Sequence, residues 1–214
     1  MTTKNATPAD LVKIASCHVE AFPDSVTSLM GISFVAKMLE WYLSAPNKFL
    51  YWIEEDGECI GYCGGYVRDS SDSFGSATGM SQFGLNEAFR VVLRKPWLLF
   101  HPEIISRYKF IISNLKRRFT PIKNKTTHVT PQPHIIPVRT AGLVVIGVRK
   151  NKMKKGIGSL LQIEFEKRAK ALNAEIMQLS VRKTNEAAIA SYKRNGWYID
   201  SEQPISYLMK KKMQ

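Results

Sequence analysis

Apolar residues near the N-terminus recur at helical spacing: Leu11, Ile14, Ala15, Val19 and Phe22. That period predicts an amphipathic helix. Thr7-Pro8-Ala9-Asp10 precedes it, with a capping hydroxyl, proline at the first helical position and an acid three residues after the cap. Phe22-Pro23-Asp24 interrupts the run. Phe34, Met38, Leu39 and Tyr42 predict one further helical stretch, which stops near Ala45-Pro46 because the residue before proline disfavours helix. Phe49 to Glu54 is then rich in strand formers. Asp56-Gly57 is a favoured two-residue turn and Cys59 to Val67 returns, which predicts a hairpin. Gly61, Gly64 and Gly65 on the return strand point to a bulge or a close backbone approach.

The pattern changes after Arg68. Ser70 to Gly84 is rich in Ser and Gly and reads as loop. Leu85 to Phe119 is basic, aromatic and helical in two pieces, broken around Pro96 to Pro102. Thr120 to Pro137 is rich in Lys, Thr and Pro with no periodicity. Residues 70–134 therefore read as a mainly helical insertion between two better-organised halves. Ala141 to Val148 is a continuous apolar run, as expected of a strand buried on both faces. A basic loop, Arg149 to Lys155, leads to Gly156-Ile157-Gly158 and a helix to Leu172. Ile157, Leu160, Leu161, Phe165, Ala169 and Leu172 line one face of that helix. Glu175 to Val181 is a second core strand, Asn185 to Arg194 a short helix, and Trp197–Ile199 and Ser206–Met209 the final strands. Strand, helix and strand in that order predict a right-handed parallel unit. The fold class is α/β with a mixed sheet, in a single domain spanning 1–214.

Composition narrows the functional classes. The chain has 214 residues, 44% apolar and 23% charged, which excludes wholesale disorder. No apolar run is long enough to span a bilayer, and the first residues contain no apolar signal region. Cys17, Cys59 and Cys63 read as reduced thiols, with no set of partners to complete a zinc site, so no metal is expected. A cytoplasmic location is the expectation. The net charge of +13 calls for an anionic partner: a cofactor, nucleic acid or a membrane surface.

The strongest candidate site lies between Val148 and Ser159. A buried strand runs into a loop with five cations, Arg149, Lys150, Lys152, Lys154 and Lys155. The loop enters a helix through Gly156 and Gly158. A helix N-terminus presents unpaired N–H groups and the positive end of its dipole, and glycines let a ligand approach that backbone. The arrangement suits a phosphate or pyrophosphate. It is not a Walker A loop, since the Gly-Lys-Ser/Thr ending is absent. It is not a Rossmann fingerprint, since Leu161 stands where the third glycine would be. The alternative is an ordinary helix start beside a solvated basic face.

The next segment favours the ligand. Asn185-Glu-Ala-Ala-Ile-Ala-Ser-Tyr192-Lys-Arg194-Asn-Gly196-Trp197 follows the second core strand. Together with Met153-Lys-Lys-Gly156-Ile-Gly158, it resembles the GNAT acyl-CoA N-acyltransferase superfamily. That family carries Gln/Arg-x-x-Gly-x-Gly/Ala after its fourth strand and, later, an Asn-x-x-Ala-x-x-x-Tyr-x-x-x-Gly-Phe-like stretch. The close match covers about Ala141 to Ile199. The N-terminal helices and hairpin follow the family's order more loosely, and the insertion matches no pattern.

The resemblance implies acetyl-CoA as co-substrate and a GNAT fold. Backbone N–H groups of Lys154, Lys155, Gly156, Ile157, Gly158 and Ser159, with Met153 at the head of the loop, would take the pyrophosphate. Backbone groups of Ile146 and Val148 would pair with the pantetheine like an added strand, and Asn185 would hydrogen-bond it. Arg194 falls near the ribose phosphate. Tyr192 falls where a phenol protonates the departing thiolate, a task suited to a pKa near ~10 against ~8.5 for a thiol. Met153 replaces the family's Gln or Arg. Gly142 stands where many relatives place a glutamate base, so the base is unassigned; His18, His101, His128, His134, Glu54 and Glu55 are candidates.

The implied function is transfer of an acetyl group to a primary amine by direct attack. The acceptor is a small molecule, by loose resemblance an amino sugar or a nucleotide-linked amino sugar. The insertion reads as a lid over the acceptor, as extra core helices, as an interfacial amphipathic helix on an anionic membrane, or as a basic, aromatic surface for nucleic acid; no specific nucleic acid is expected as a partner. The alternative function is a non-catalytic binding module with a basic surface for nucleic acid or anionic membrane.

Overall fold

Thr7 begins the first helix as its sequence requires. Its backbone N–H and its hydroxyl both donate to the Asp10 carboxylate, at 2.9 and 2.7 Å. The structure, a computed structural model, describes residues 2–68, 80, 84–106, 112, 138–153 and 155–213. After strand β1 (Thr3–Asn5), a 3-10 turn at Pro8–Asp10 continues into α1 (Leu11–Ala21). The second helical stretch, expected as one piece, is two: α2 (Val26–Met30) and α3 (Ile32–Leu39), with a 3-10 turn at Glu40–Leu43. Gly31 separates them at φ +106°, a conformation that only glycine adopts without strain.

The hairpin is β2 (Lys48–Glu55) and β3 (Glu58–Arg68). Asp56 and Gly57 both have positive φ, 52° and 78°, as a turn matched to strand twist needs. Further on come α4 (Leu85–Arg94), a 3-10 turn at Pro96–Phe100 and α5 (Pro102–Ser106). The helical break thus falls in the Pro96–Pro102 region. The rest of the insertion, including residues 107–111 and 113–134, lies outside the described residues. The chain then forms β4 (Thr140–Val148), α6 (Ile157–Ala171), β5 (Ile176–Arg182), α7 (Glu186–Arg194), β6 (Tyr198–Glu202) and β7 (Ser206–Lys212).

The strands form one sheet of seven in the order β1-β2-β3-β4-β5-β7-β6. β4 and β5 are parallel, with α6 as the crossover; the other neighbours run antiparallel. Each face carries its own core. α6 and α7 cover one, where Leu161, Phe165, Tyr192 and Trp197 pack on Tyr51, Met177 and Met209. α1 and α3 cover the other, where Ile14, Cys17 and Val35 pack on Tyr42, Leu50 and Tyr62. Leu160, expected on the inner face of α6, is 41% exposed.

The glycines of β3 and β4 seat aromatic rings. A Cβ on Gly64 would lie 2.7 Å from the Tyr42 ring, one on Gly147 2.6 Å from Tyr62, and one on Gly142 2.6 Å from Tyr66. A bulge occurs where Gly64 pairs with Val145 and Gly65 with Leu143, leaving Val144 as the extra residue of β4. Burial of β4 on both faces holds at Ala141, Gly142 and Leu143 but not at Val144, Val145 and Ile146, which are half-buried. The reason is that β5 pairs with only the first part of β4.

Candidate functional site

β4 and β5 pair over four positions only, from Thr140 opposite Ile176 to Leu143 opposite Leu179. Beyond them β4 continues to Val148 and β5 to Arg182 with no pairing between them. Their outer edges stay paired: β3 follows β4 to Val148, and β7 follows β5 to Arg182. The two parallel strands therefore splay apart inside an otherwise continuous sheet. Alternate backbone groups of Val144–Val148, a stretch that includes Ile146 and Val148, face the split. The Val144 bulge sits at its apex and increases the local twist.

The α6 N-terminus follows β4 through the basic loop. Gly156 caps it at φ +80°, and a Cβ on either Gly156 or Gly158 would meet nothing within 4 Å. The first helical hydrogen bond runs from Leu160 N–H to Gly156 C=O at 3.0 Å. The amides of Ile157, Gly158 and Ser159 thus have no acceptor in the helix. Ile157 itself is buried, its side chain against Gly61, so only its backbone can serve a ligand.

The loop cations divide into two groups. Arg149 is structural: it donates to the Cys59 carbonyl at 2.7 Å and pairs with Glu58 at 2.7 Å and Glu20 at 3.3 Å. Lys152 pairs with Glu55. Lys150 and Lys155 are exposed, and Lys154 lies outside the described residues. Met153 is 47% exposed beside the loop's last turn. The charge available to an anion is therefore smaller than five cations suggest.

α7 lies on the same face as α6. Gln162 of α6 donates to Ser191 Oγ at 3.1 Å, while its buried Oε1 has no partner. Tyr192 is 6% exposed, its ring 5.9 Å from that of Trp197. Burial pushes its phenol above the ordinary value, and Cys63 adds to the rise, so it is protonated at neutral pH. Asn185 caps α7, its Oδ1 accepting from Ala188 N–H at 3.2 Å, and Arg194 is exposed in the last turn.

The opposite face of the split opens into a cleft of about 450 Å³. Tyr66, Val144, Gln178, Ser180, Arg182 and Ser206 contribute its polar and bulge positions. None of these was among the sequence candidates. A signal was present: Gln178, Ser180 and Arg182 alternate with Met177, Leu179 and Val181 along β5. Tyr66 could not have been found so, because only the register places it opposite Gly142.

The candidate bases do not gather in this cleft. His18 is held on both ring nitrogens, by Tyr62 Oη at 2.5 Å and Thr27 Oγ1 at 3.1 Å. Burial lowers its pKa to about 4, so it is neutral at pH 7. His101 lies in the insertion, its Nδ1 accepting from Glu103 N–H at 3.3 Å. Glu54 pairs with Lys4 at 2.6 Å and Glu55 with Lys152. His128 and His134 lie outside the described residues.

Comparison with known proteins bears on the fold. Residues 126–197 match the Acetyltransferase (GNAT) family. No curated protein matches the chain. Among solved structures, the chain is similar to Naa20 of Chaetomium thermophilum in complex with a bisubstrate analogue, at 23% identity and a TM-score of 0.54 over 100% of this chain and 87% of that one. It is similar to the PaiA N-acetyltransferase of Thermoplasma acidophilum in complex with coenzyme A, at 12% identity and a TM-score of 0.56 over 99% of each chain. It is similar also to the ribosomal-protein-alanine N-acetyltransferase of Brucella melitensis, at 14% identity and a TM-score of 0.55 over 99% of each.

His18 makes stability depend on pH. Its folded pKa lies near 4, below the ordinary 6.5, so the unfolded chain binds the proton more readily. Between pH 7 and pH 5 this difference removes about 2 kcal/mol of folding stability. Denaturant titrations at the two values should show the loss, and His18→Gln should flatten it; an equal slope in the variant would place the titrating group elsewhere.

Proposed function

With the GNAT fold and a GNAT acetyltransferase domain as premises, we propose that this chain transfers an acetyl group from acetyl-CoA to a primary amine. The observation that carries the reading is the split between β4 and β5, with an open helix N-terminus at its end. The amides of Ile157, Gly158 and Ser159 would hold the pyrophosphate, with Lys150, Met153, Lys154 and Lys155 around it and Arg194 toward the ribose phosphate. The free edge at Ile146 and Val148 would pair with the pantetheine amides, and Asn185 would add a hydrogen bond.

Acetyl-CoA supplies an activated acyl group. The chain supplies position and protons. Fixing amine and thioester side by side in the split lowers the barrier chiefly through orientation. Backbone N–H groups beside the Val144 bulge would polarise the thioester carbonyl. Tyr192, a buried neutral phenol, donates a proton to the departing thiolate. The acceptor enters from the opposite face through the cleft of Tyr66, Gln178, Ser180 and Arg182. Its hydroxyl, amide and guanidinium groups suit a polar, oxygen-rich amine, such as an amino sugar or a nucleotide-linked amino sugar. The insertion acts as a lid on this side: Glu103 of α5 pairs with Arg182 at the rim and accepts from Val26 N–H at 3.3 Å.

Calorimetric titration tests the cofactor. Acetyl-CoA should bind one-to-one in the micromolar range. Gly158→Asp should weaken that binding at least about tenfold while leaving the melting temperature equal or higher, because an acid in the first turn favours the helix and repels phosphate. Equal affinity in the variant would place the anion elsewhere. Tyr192→Phe should lower turnover about ten- to a hundredfold with affinity unchanged. The assay is thiol release on whichever amine of a sugar, polyamine and peptide panel the wild type accepts. Unaltered turnover would remove Tyr192 from the mechanism.

A further inference from the structure

The insertion presents an apolar surface that the acetyl-transfer reading does not use. α4 has two faces. Ala88, Val91 and Val92 pack inward on Met30, Phe34 and Leu98. Phe89 and Leu93, four residues apart on one line of the helix, are exposed, as are Leu99 and Ile105 beyond it. Trp97 is 62% exposed and Phe100 78%. These last two flank a depression of about 550 Å³ whose lining is mostly apolar, with Lys95 contributing the cation. Arg94 is exposed in the last turn of α4, and Arg90 lies one turn before it. Between Gly84 and Pro137 the sequence carries ten Lys and Arg against two Glu, the larger part of the chain's net charge.

We propose that the outer face of α4 and the turn that follows it dock on an anionic lipid bilayer. The chemistry of the exposed groups selects this partner. Trp and Phe settle at the headgroup boundary, and Leu and Ile enter the acyl region. Interleaved Arg and Lys meet the lipid phosphates. Nucleic acid would engage the aromatic rings and the cations, but it offers Leu93, Leu99 and Ile105 nothing to stack on. A second copy of the same face would set like charges against each other. Glu103, on the neighbouring α5, pairs with Arg182 at the cleft rim. The surface is independent of cofactor binding, so the two readings fail separately.

Trp97 reports on the contact directly. The chain has four tryptophans, and Trp41, Trp52 and Trp197 are buried. Full-length protein should sediment with vesicles of phosphatidylglycerol and phosphatidylcholine, with a blue shift of tryptophan emission and quenching by brominated acyl chains. Trp97→Phe should abolish the spectral change and keep most of the sedimentation. The double variant Leu93→Ser, Phe100→Ser should lower vesicle partitioning at least about tenfold while acetyl-CoA binding and melting temperature stay as in the wild type. Absence of vesicle binding would overturn the proposal. So would binding without a Trp97 shift, binding of single-stranded DNA in preference to vesicles, or self-association that buries Trp97.

Discussion

Two parallel strands that begin paired and then part are the constraint from which the rest of this molecule follows. A backbone edge inside a sheet has to be satisfied by hydrogen bonds, because a buried unpaired N–H or C=O is costly. β4 and β5 leave such edges from Val144 and Ser180 onward. The flanking strands, β3 and β7, hold the outer edges fixed. The opening is thus a built feature of the sheet. α6, as the crossover between the parting strands, delivers its N-terminus to the end of the opening. Gly156, at φ +80°, leaves that terminus open.

The two faces of the split are specialised by what packs on them. On the α6 and α7 face, Tyr192 is buried with Phe165 and Trp197 in the main core, which keeps the phenol protonated and fixed. On the other face, tyrosines occupy the space above glycines: Tyr62 over Gly147, Tyr42 over Gly64 and Tyr66 over Gly142. Tyr66 is of particular interest, because a Cβ at Gly142 would come within 3.1 Å of its hydroxyl. Any longer side chain at that strand position would compete with the phenol for the cleft. The chain thus places a phenol where a residue from β4 would otherwise project.

Local signals were legible in the sequence, and long-range ones were not. The Thr7–Asp10 cap, the Asp56-Gly57 turn and the Gly156 helix start each depend on residues within a few positions of one another. The sequence contains them complete. The division of the second helix at Gly31 was also local, but glycine inside an apolar period gives no sign of its φ. The extent of β4–β5 pairing has no local signature: Ala141 to Val148 is apolar throughout, yet only its first part is sandwiched. Arg149 counted among the five cations of the basic loop, yet its charge is taken up within the fold. Its partners, Glu20 and Glu58, are more than ninety residues away in the chain. Tyr66 and Arg182 reach the cleft through register alone. The open helix N-terminus was readable because Gly156 and Gly158 stand at the head of an amphipathic run. The cleft on the opposite face is assembled from four separate strands and was not.

Hydrogen exchange with and without acetyl-CoA tests the central claim most directly, because it reports on the backbone edges themselves. The account predicts that the cofactor slows exchange in two separate segments, Val144–Val148 of β4 and Ile157–Ser159 of α6, with little change in β2 or β6. Protection confined to the insertion, or none in β4 under saturating cofactor, would mean that the split between β4 and β5 is not where the ligand lies.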